Sequence, residues 1–305
     1  MKIISCIIHP DEINLVKEAG ADEIYFAYSQ VLNFGEAMSI QKLRDVQRSI
    51  EIAHKNKLKI YLAANGFASK KQSITVKGMI KDIKKIINCG IDGLIVSNLG
   101  VFEAIKKYGI KTDLHLSSVN PVFNSYTLDF FYRKYGISRV ILPNQLSAIE
   151  AEGIMEYAKK NMIKTEIFYF KFFGCPYING FCYMHSNNLC TRNISSEYGL
   201  CVLGRGKNNA DISPFNIVIA PPKNILERVS MRISMGGSPR ILNISSFFDY
   251  CLKGVDFIKY GTRTDDTKTR VYKVSLIKRA INAFKELTSK YSVEEAKERF
   301  IREFK

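Results

Sequence analysis

Long apolar runs are missing from this chain of 305 residues. None reaches the ~20 residues that a membrane-spanning helix requires. The opening MKIISCIIHPDE carries one lysine and a short apolar run and then turns acidic. It lacks the long hydrophobic region and small-residue cleavage site of an export leader, so it reads as a first strand. A cytoplasmic location without membrane insertion is the expectation. Cysteine is scarce, and its count of seven is odd. Cytosolic thiols stay reduced, so a disulfide framework is not expected. Histidine is scarcer still, at four, and no H-E-x-x-H helix is present to suggest a zinc peptidase. RGG tracts, zinc-finger spacings and long basic blocks are absent as well, which leaves no sequence-level nucleic-acid motif.

Positive charge, by contrast, is plentiful. Lys and Arg number 45 against 29 Asp and Glu, a formal net charge of +16. Such a surface attracts polyanions and anionic substrates, although the abundance of lysine, isoleucine and asparagine also fits a compositional bias. RNA enters as a partner on this ground alone. At 46% hydrophobic and 24% charged residues, the chain has the balance of a soluble globular protein.

Short apolar runs alternate with amphipathic stretches. Strands are predicted at 2–8, 23–28, 59–65, 93–97, 113–118, 139–144 and 164–173, with helical patterns between them. The runs are continuous rather than alternating, as in parallel strands covered on both faces. Repeated βα units imply right-handed crossovers, and seven or more favour a closed TIM-like (β/α) barrel, with a doubly wound sheet as the alternative. The rhythm breaks at 174–214, a stretch of Cys, Gly, Asn and Ser that reads as a cysteine-bearing insertion after the seventh strand. Strand-like runs return at 215–220, 240–246 and 255–261, and helices close the chain. No internal repeat or linker is evident, so 1–305 reads as a single barrel domain.

The insertion concentrates thiols: Cys175, Cys182 and Cys190 fall within GCPYINGFCYMHSNNLC, and Cys201 follows. Grouped cysteines in a reduced compartment point chiefly to metal. The spacing is not that of a zinc ribbon, whereas iron–sulfur clusters accept wider spacing. A four-thiolate site from Cys175, Cys182 and Cys201 needs a fourth, and Cys190 and Cys251 are the candidates. Cys6 and Cys89 lie in a strand and at a helix end, where buried structural thiols are common.

Several blocks, in order, resemble the collagenase-like peptidase family of unassigned catalytic type, peptidase family thirty-two. They are AGADEIYFA, NFGEAMSIQKLRDVQRSIEIAHKNKLKIYLAAN, GIDGLIVSNLGV, LHLSSVN, SRVILPNQLSAIE, EIFYFKFFGCPYINGFC and GVDFIKYGTR. The resemblance implies a ligand set of Cys175, Cys182, Cys201 (from YGLC) and Cys251 (from FDYC), holding a 4Fe-4S cluster. It implies an enzyme, or a subunit of one, in oxygen-independent hydroxylation of an aromatic small molecule. A peptidase and an RNA-base hydroxylation factor are the alternatives. A homodimer or a paralogous subunit is also implied. Asn144-Gln145, FFG before Cys175, and Gly261-Thr262 depart from the family's pattern, which puts the substrate in doubt.

Barrels keep their chemistry at strand C-terminal ends. Asn65, Ser97, His115, Asn144 and Glu166 lie in or near such ends and are expected to converge on one cavity facing the cysteines. His115 and Glu166 are the catalytic candidates, and Asn65, Ser97 and Asn144 the substrate-binding ones. Asn and Ser are equally suited to capping the next helix, and Glu166 to burial with a basic partner.

Overall fold

The computed structural model describes residues 1–33, 38–66, 76–144, 146–169, 244–263 and 265–304. Within them eight parallel strands form a closed barrel: β1 (Lys2–Cys6), β2 (Glu23–Phe26), β3 (Lys59–Ala64), β4 (Gly93–Val96), β5 (Asp113–Leu116), β6 (Arg139–Ile141), β7 (Lys164–Phe168) and β8 (Phe257–Tyr260). Pairing of β1 with both β2 and β8 closes the ring, and the doubly wound alternative falls away. The helices are α1 (Glu12–Glu18), α2 (Leu43–Lys55), α3 (Val76–Asn88), α4 (Leu99–Lys107), α5 (Ser125–Tyr135), α6 (Glu152–Lys160), α7 (Ile244–Leu252), α8 (Thr267–Lys290) and α9 (Val293–Phe304).

Amphipathic spacing explains the outer layer. In α2, Val46, Ser49, Ile50 and Ala53 are buried, the i, i+3, i+4, i+7 stripe of a helix packed on a sheet. Asn98, Asn124 and Asp266 cap α4, α5 and α8 with side-chain oxygens on backbone N–H groups of the first turn, satisfying donors that a helix start leaves open. The predicted strands overrun at their C-terminal ends. In 139–144, Leu142 still donates to Glu166, but Pro143 has no N–H to continue the ladder. The predicted strand at 240–246 is corrected: Ile244–Ser246 are the first residues of α7. That helix is held by Phe247 against Tyr169 (4.9 Å) and Phe300 (5.9 Å). The run 215–220 lies outside the described residues.

A short motif recurs at the strand entries. Each even-numbered strand is entered through Gly-hydrophobic-Asp or its serine variant: Gly20-Ala21-Asp22, Gly90-Ile91-Asp92, Gly136-Ile137-Ser138 and Gly254-Val255-Asp256. Gly90 ends α3's turn at φ +93°, a conformation that disfavours a Cβ. Two residues on, each aspartate reaches sideways to the preceding strand. Asp22 accepts the Ile3 N–H, Asp92 the Ile60 N–H and Asp256 the Thr165 N–H, at 2.8, 2.8 and 2.9 Å. These carboxylates terminate the ladder at the barrel's N-terminal end and fix the register of three strand pairs.

Candidate functional site

Residues paired across parallel strands share a face. The register therefore sends Ile4, Cys6, Glu23, Tyr25, Tyr61, Ala63, Ile95, His115, Arg139, Ile141, Glu166, Phe168, Phe257 and Lys259 to one side of the sheet. That side is the barrel interior, because Arg139 of β6 meets Glu23 of β2 at 2.8 Å, and strands four apart in a ring of eight touch only across its axis.

The interior is charged. Glu166 is fully buried; its Oε1 accepts from Lys259 Nζ at 2.8 Å and its Oε2 from Arg139 Nη1 at 3.0 Å. Aromatic faces complete the cage, with the Arg139 guanidinium 3.5 Å from the Phe257 ring centre and Lys259 Nζ 4.0 Å from that of Tyr25; both are cation–π contacts. Burial pushes the Glu166 carboxyl up, but Lys259 and Arg139 outweigh it and hold the group below its ordinary value. Burial dominates at Glu23, whose carboxyl is raised despite Arg139, and at Lys259, whose ammonium is lowered despite Glu166. Two carboxylates and two cations close on one another. Glu166 is thus buried with basic partners, the second of the two roles open to it.

His115 belongs to the same interior. Burial lowers its imidazole to about 4, with the Asp113 hydrogen bond opposing, so the ring is neutral at pH 7. It packs tilted against Tyr61 at 4.3 Å between ring centres, and its Nε2 contacts Asp113 Oδ2 at 3.4 Å. Asp113 precedes it by two residues on β5, so the imidazole is aimed toward the N-terminal end of the barrel, away from the strand C-terminal ends.

The strand C-terminal ends hold a different group. Asn65 Nδ2 donates to Ser117 Oγ at 3.0 Å, and Ser97 Oγ donates to the Asn65 carbonyl at 2.9 Å. Asn65 and Ser97 are therefore adjacent. Ser117, which joins them, is visible in LHLSSVN but was not singled out there. Asn144 is half-buried, three residues beyond the end of β6. His115 and Glu166 do not join this group. Across the mouth, half-buried Arg263 follows β8 and donates to Asn33 Oδ1 at 2.9 Å. Gly261 stands where the family pattern has a side chain. A Cβ there would come within 2.5 Å of the Phe168 ring, so Phe168 fills that space.

Cys175, Cys182, Cys190 and Cys201 lie outside the described residues, as does all of 174–214. Cys251 is described. It occupies the last turn of α7, which runs toward the start of β8. Burial raises its thiol well above the usual range, and the charge acting on it is the amino terminus, which lies at the opposite end of the barrel from the mouth. Its side chain is buried, and the cysteines expected to join it as ligands lie outside the described residues. Among the described residues no group of three His, Cys, Asp or Glu side chains is placed to hold a metal ion. No helix among them is long and apolar enough to cross a membrane.

Comparison with known proteins adds a lineage. The sequence model described as peptidase family U32 matches residues 9–304. The tRNA hydroxylation protein P1 of Bacillus subtilis is 24% identical over 191 residues, covering 63% of this chain and 43% of that protein. The tRNA hydroxylation protein P of Escherichia coli is 30% identical over 110 residues, covering 36% and 23%. This chain thus matches less than half the length of either relative. A solved U32 peptidase aligns with a TM-score of 0.43 at 11% identity, covering 56% of this chain and 69% of that one.

Proposed function

The chain belongs to peptidase family U32, and from that premise we propose that it acts in a hydroxylation-type modification of an aromatic ring, and that the ring is a nucleobase of RNA. The observation that carries this reading is the arrangement of the mouth. The hydrogen-bonded Asn65, Ser97 and Ser117 lie at the ends of β3, β4 and β5. Arg263 stands after β8. The chain leaves β7 for its cysteine-bearing segment at the same end. Amide and hydroxyl groups suit the edge of a heteroaromatic ring, and a guanidinium suits a phosphate. The net charge of +16 and the names of the two bacterial relatives support an RNA target over a free small molecule.

A peptidase reading finds less support. Among the described residues, His9 and His54 are exposed beside Asp11 and Asp92, and His115 contacts Asp113 and Tyr61.

A 4Fe-4S cluster belongs to this proposal through Cys175, Cys182, Cys201 and Cys251, with Cys190 as the other candidate for the fourth thiolate. When bound, such a cluster supplies electron transfer. The polar groups at the mouth would orient the ring. The buried charges of Glu23, Arg139, Glu166 and Lys259 would hold the barrel rigid beneath it.

The test is nucleoside mass spectrometry on RNA from cells with and without this chain. A nucleoside heavier by one oxygen should vanish on deletion and return with the wild-type gene. An unchanged nucleoside profile would overturn the reading.

A further inference from the structure

Helix α5 carries aromatic side chains on the face turned to solvent. Tyr126 is 86% exposed, and Phe123 and Phe130 are 47% and 45% exposed. Tyr126 and Phe130 stand one turn apart on the same face of α5, Phe123 lies just before its N-cap Asn124, and Leu128 and Phe131 on the other face are buried. A single exposed apolar side chain calls for no explanation; three exposed aromatic rings within eight residues do.

Cations accompany the stripe. Lys134 Nζ lies 5.5 Å from the Phe130 ring centre and 5.2 Å from that of Tyr135. On the neighbouring helix end, Lys84 lies 4.9 Å from the ring centre of Tyr108, which is 42% exposed. Lys134 also pairs with Glu103, and Arg133 with Asp129, so part of the charge is compensated. Over 99–135 the cations Lys106, Lys107, Lys111, Arg133 and Lys134 still outnumber the carboxylates Glu103, Asp113 and Asp129.

The direction of the stripe matters. Helix α5 follows β5, so Phe123 and Tyr126 stand at the mouth, close in sequence to Ser117, and Phe130 and Lys134 lie farther down the outer wall. A ligand reaching from the mouth along α5 would meet flat rings in series with cations beside them. Single-stranded nucleic acid has the matching chemistry, since its bases stack on aromatic faces and its phosphates meet lysines and arginines.

We propose that Phe123, Tyr126 and Phe130, with Lys134 and with Lys106, whose Nζ donates to the Lys134 carbonyl at 3.3 Å, form a binding track for the single-stranded RNA that flanks a nucleotide presented at the mouth. The track rests on the reading of the mouth as an RNA-base site.

The experiment is fluorescence anisotropy with the full chain and a labelled oligouridine of RNA, across a salt series. The wild-type chain should bind, with affinity falling steeply as salt rises. Tyr126→Ala and Phe130→Ala should each weaken binding by roughly fivefold to a hundredfold, the range expected for one lost base stack. Tyr126→Phe should bind like the wild type, and so should Tyr272→Ala, an exposed ring on α8. These positions are on the surface, and circular dichroism of each variant checks the fold. No binding at low salt would overturn the track. Binding that the double variant Tyr126→Ala/Phe130→Ala leaves unchanged would also overturn it. A fall from dimer to monomer in that variant by light scattering would assign the stripe to a second copy of the chain instead. Failure of the modification reading shows separately: a chain that binds through the stripe but alters no nucleoside keeps the track and loses the reading.

Discussion

Arg139 and Glu23 face each other across the axis of the barrel, 116 residues apart in sequence and 2.8 Å apart in space. The same guanidinium reaches Glu166 at 3.0 Å. A barrel interior is ordinarily filled with layers of branched apolar side chains; here a closed set of charges does part of that filling. Removing one member strands the others in a medium of low polarity. Arg139→Met should therefore destabilise the fold by about 3–5 kcal/mol. Arg139→Met combined with Glu23→Gln and Glu166→Gln should recover much of the loss. Chemical denaturation of the two variants checks this, and equal losses in both would contradict it.

Glu166→Gln alone separates structure from chemistry. With both carboxylate oxygens occupied by Lys259 and Arg139, the substitution should lower the midpoint of thermal unfolding. Any loss of nucleoside modification should scale with loss of folded protein. Activity abolished at full stability would return Glu166 to a catalytic role.

Acid should unfold this protein partly through His115. Its imidazole is lowered from 6.5 to about 4 by burial, so between those values the unfolded chain binds a proton that the native chain does not. Stability is complete above pH 6.5 and falls as pH drops toward 4, by about 3 kcal/mol in all at 1.36 kcal/mol per unit. Asp113 acts in a lower window. Burial raises it, but its bonds to His115 and Ser138 bring it to about 2, so its contribution is lost below about pH 4. Urea titrations from pH 7 to 4 should show the first slope in the wild type and a shallower one in His115→Gln.

The aspartates that open the even strands should be worth similar amounts. Asp92→Ala removes the acceptor of the Ile60 N–H and should cost about 1.5–3 kcal/mol, the range for a hydrogen bond to a charged group. Asp92→Asn, which keeps an oxygen in place, should cost less. Equal midpoints for the two variants in urea would argue against the bond's importance.

The proposed ligand set divides the cysteines into two classes. Cys175→Ser, Cys182→Ser, Cys201→Ser and Cys251→Ser should each empty most of the iron from anaerobically prepared protein. Cys190→Ala should keep it. Iron and sulfide assays decide, and iron lost from Cys190→Ala with iron kept in Cys251→Ser would make Cys190 the fourth ligand.

The sequence by itself determined the barrel. Continuous apolar runs and amphipathic stretches repeat eight times within the described chain, and local patterning is enough to place them because each βα unit is built from near neighbours. It also marked Asn65 and Ser97 as mouth residues, since both stand where an apolar run stops. Buried charge was written there too, in EIYF, RVI, KTEIF and FIKY, but its meaning was not. A lone charged residue in a strand reads alike as a site, a surface position or half of an ion pair. Only ring closure decided among these, by bringing β2 and β6 across the axis so that Arg139 could neutralise Glu23 and Glu166. The same holds for His115 and Cys251. Sequence gives their distance along the chain, while the burial of a side chain in a closed barrel depends on partners far away, so tertiary packing alone enclosed His115 against Tyr61 and buried Cys251 in the last turn of α7.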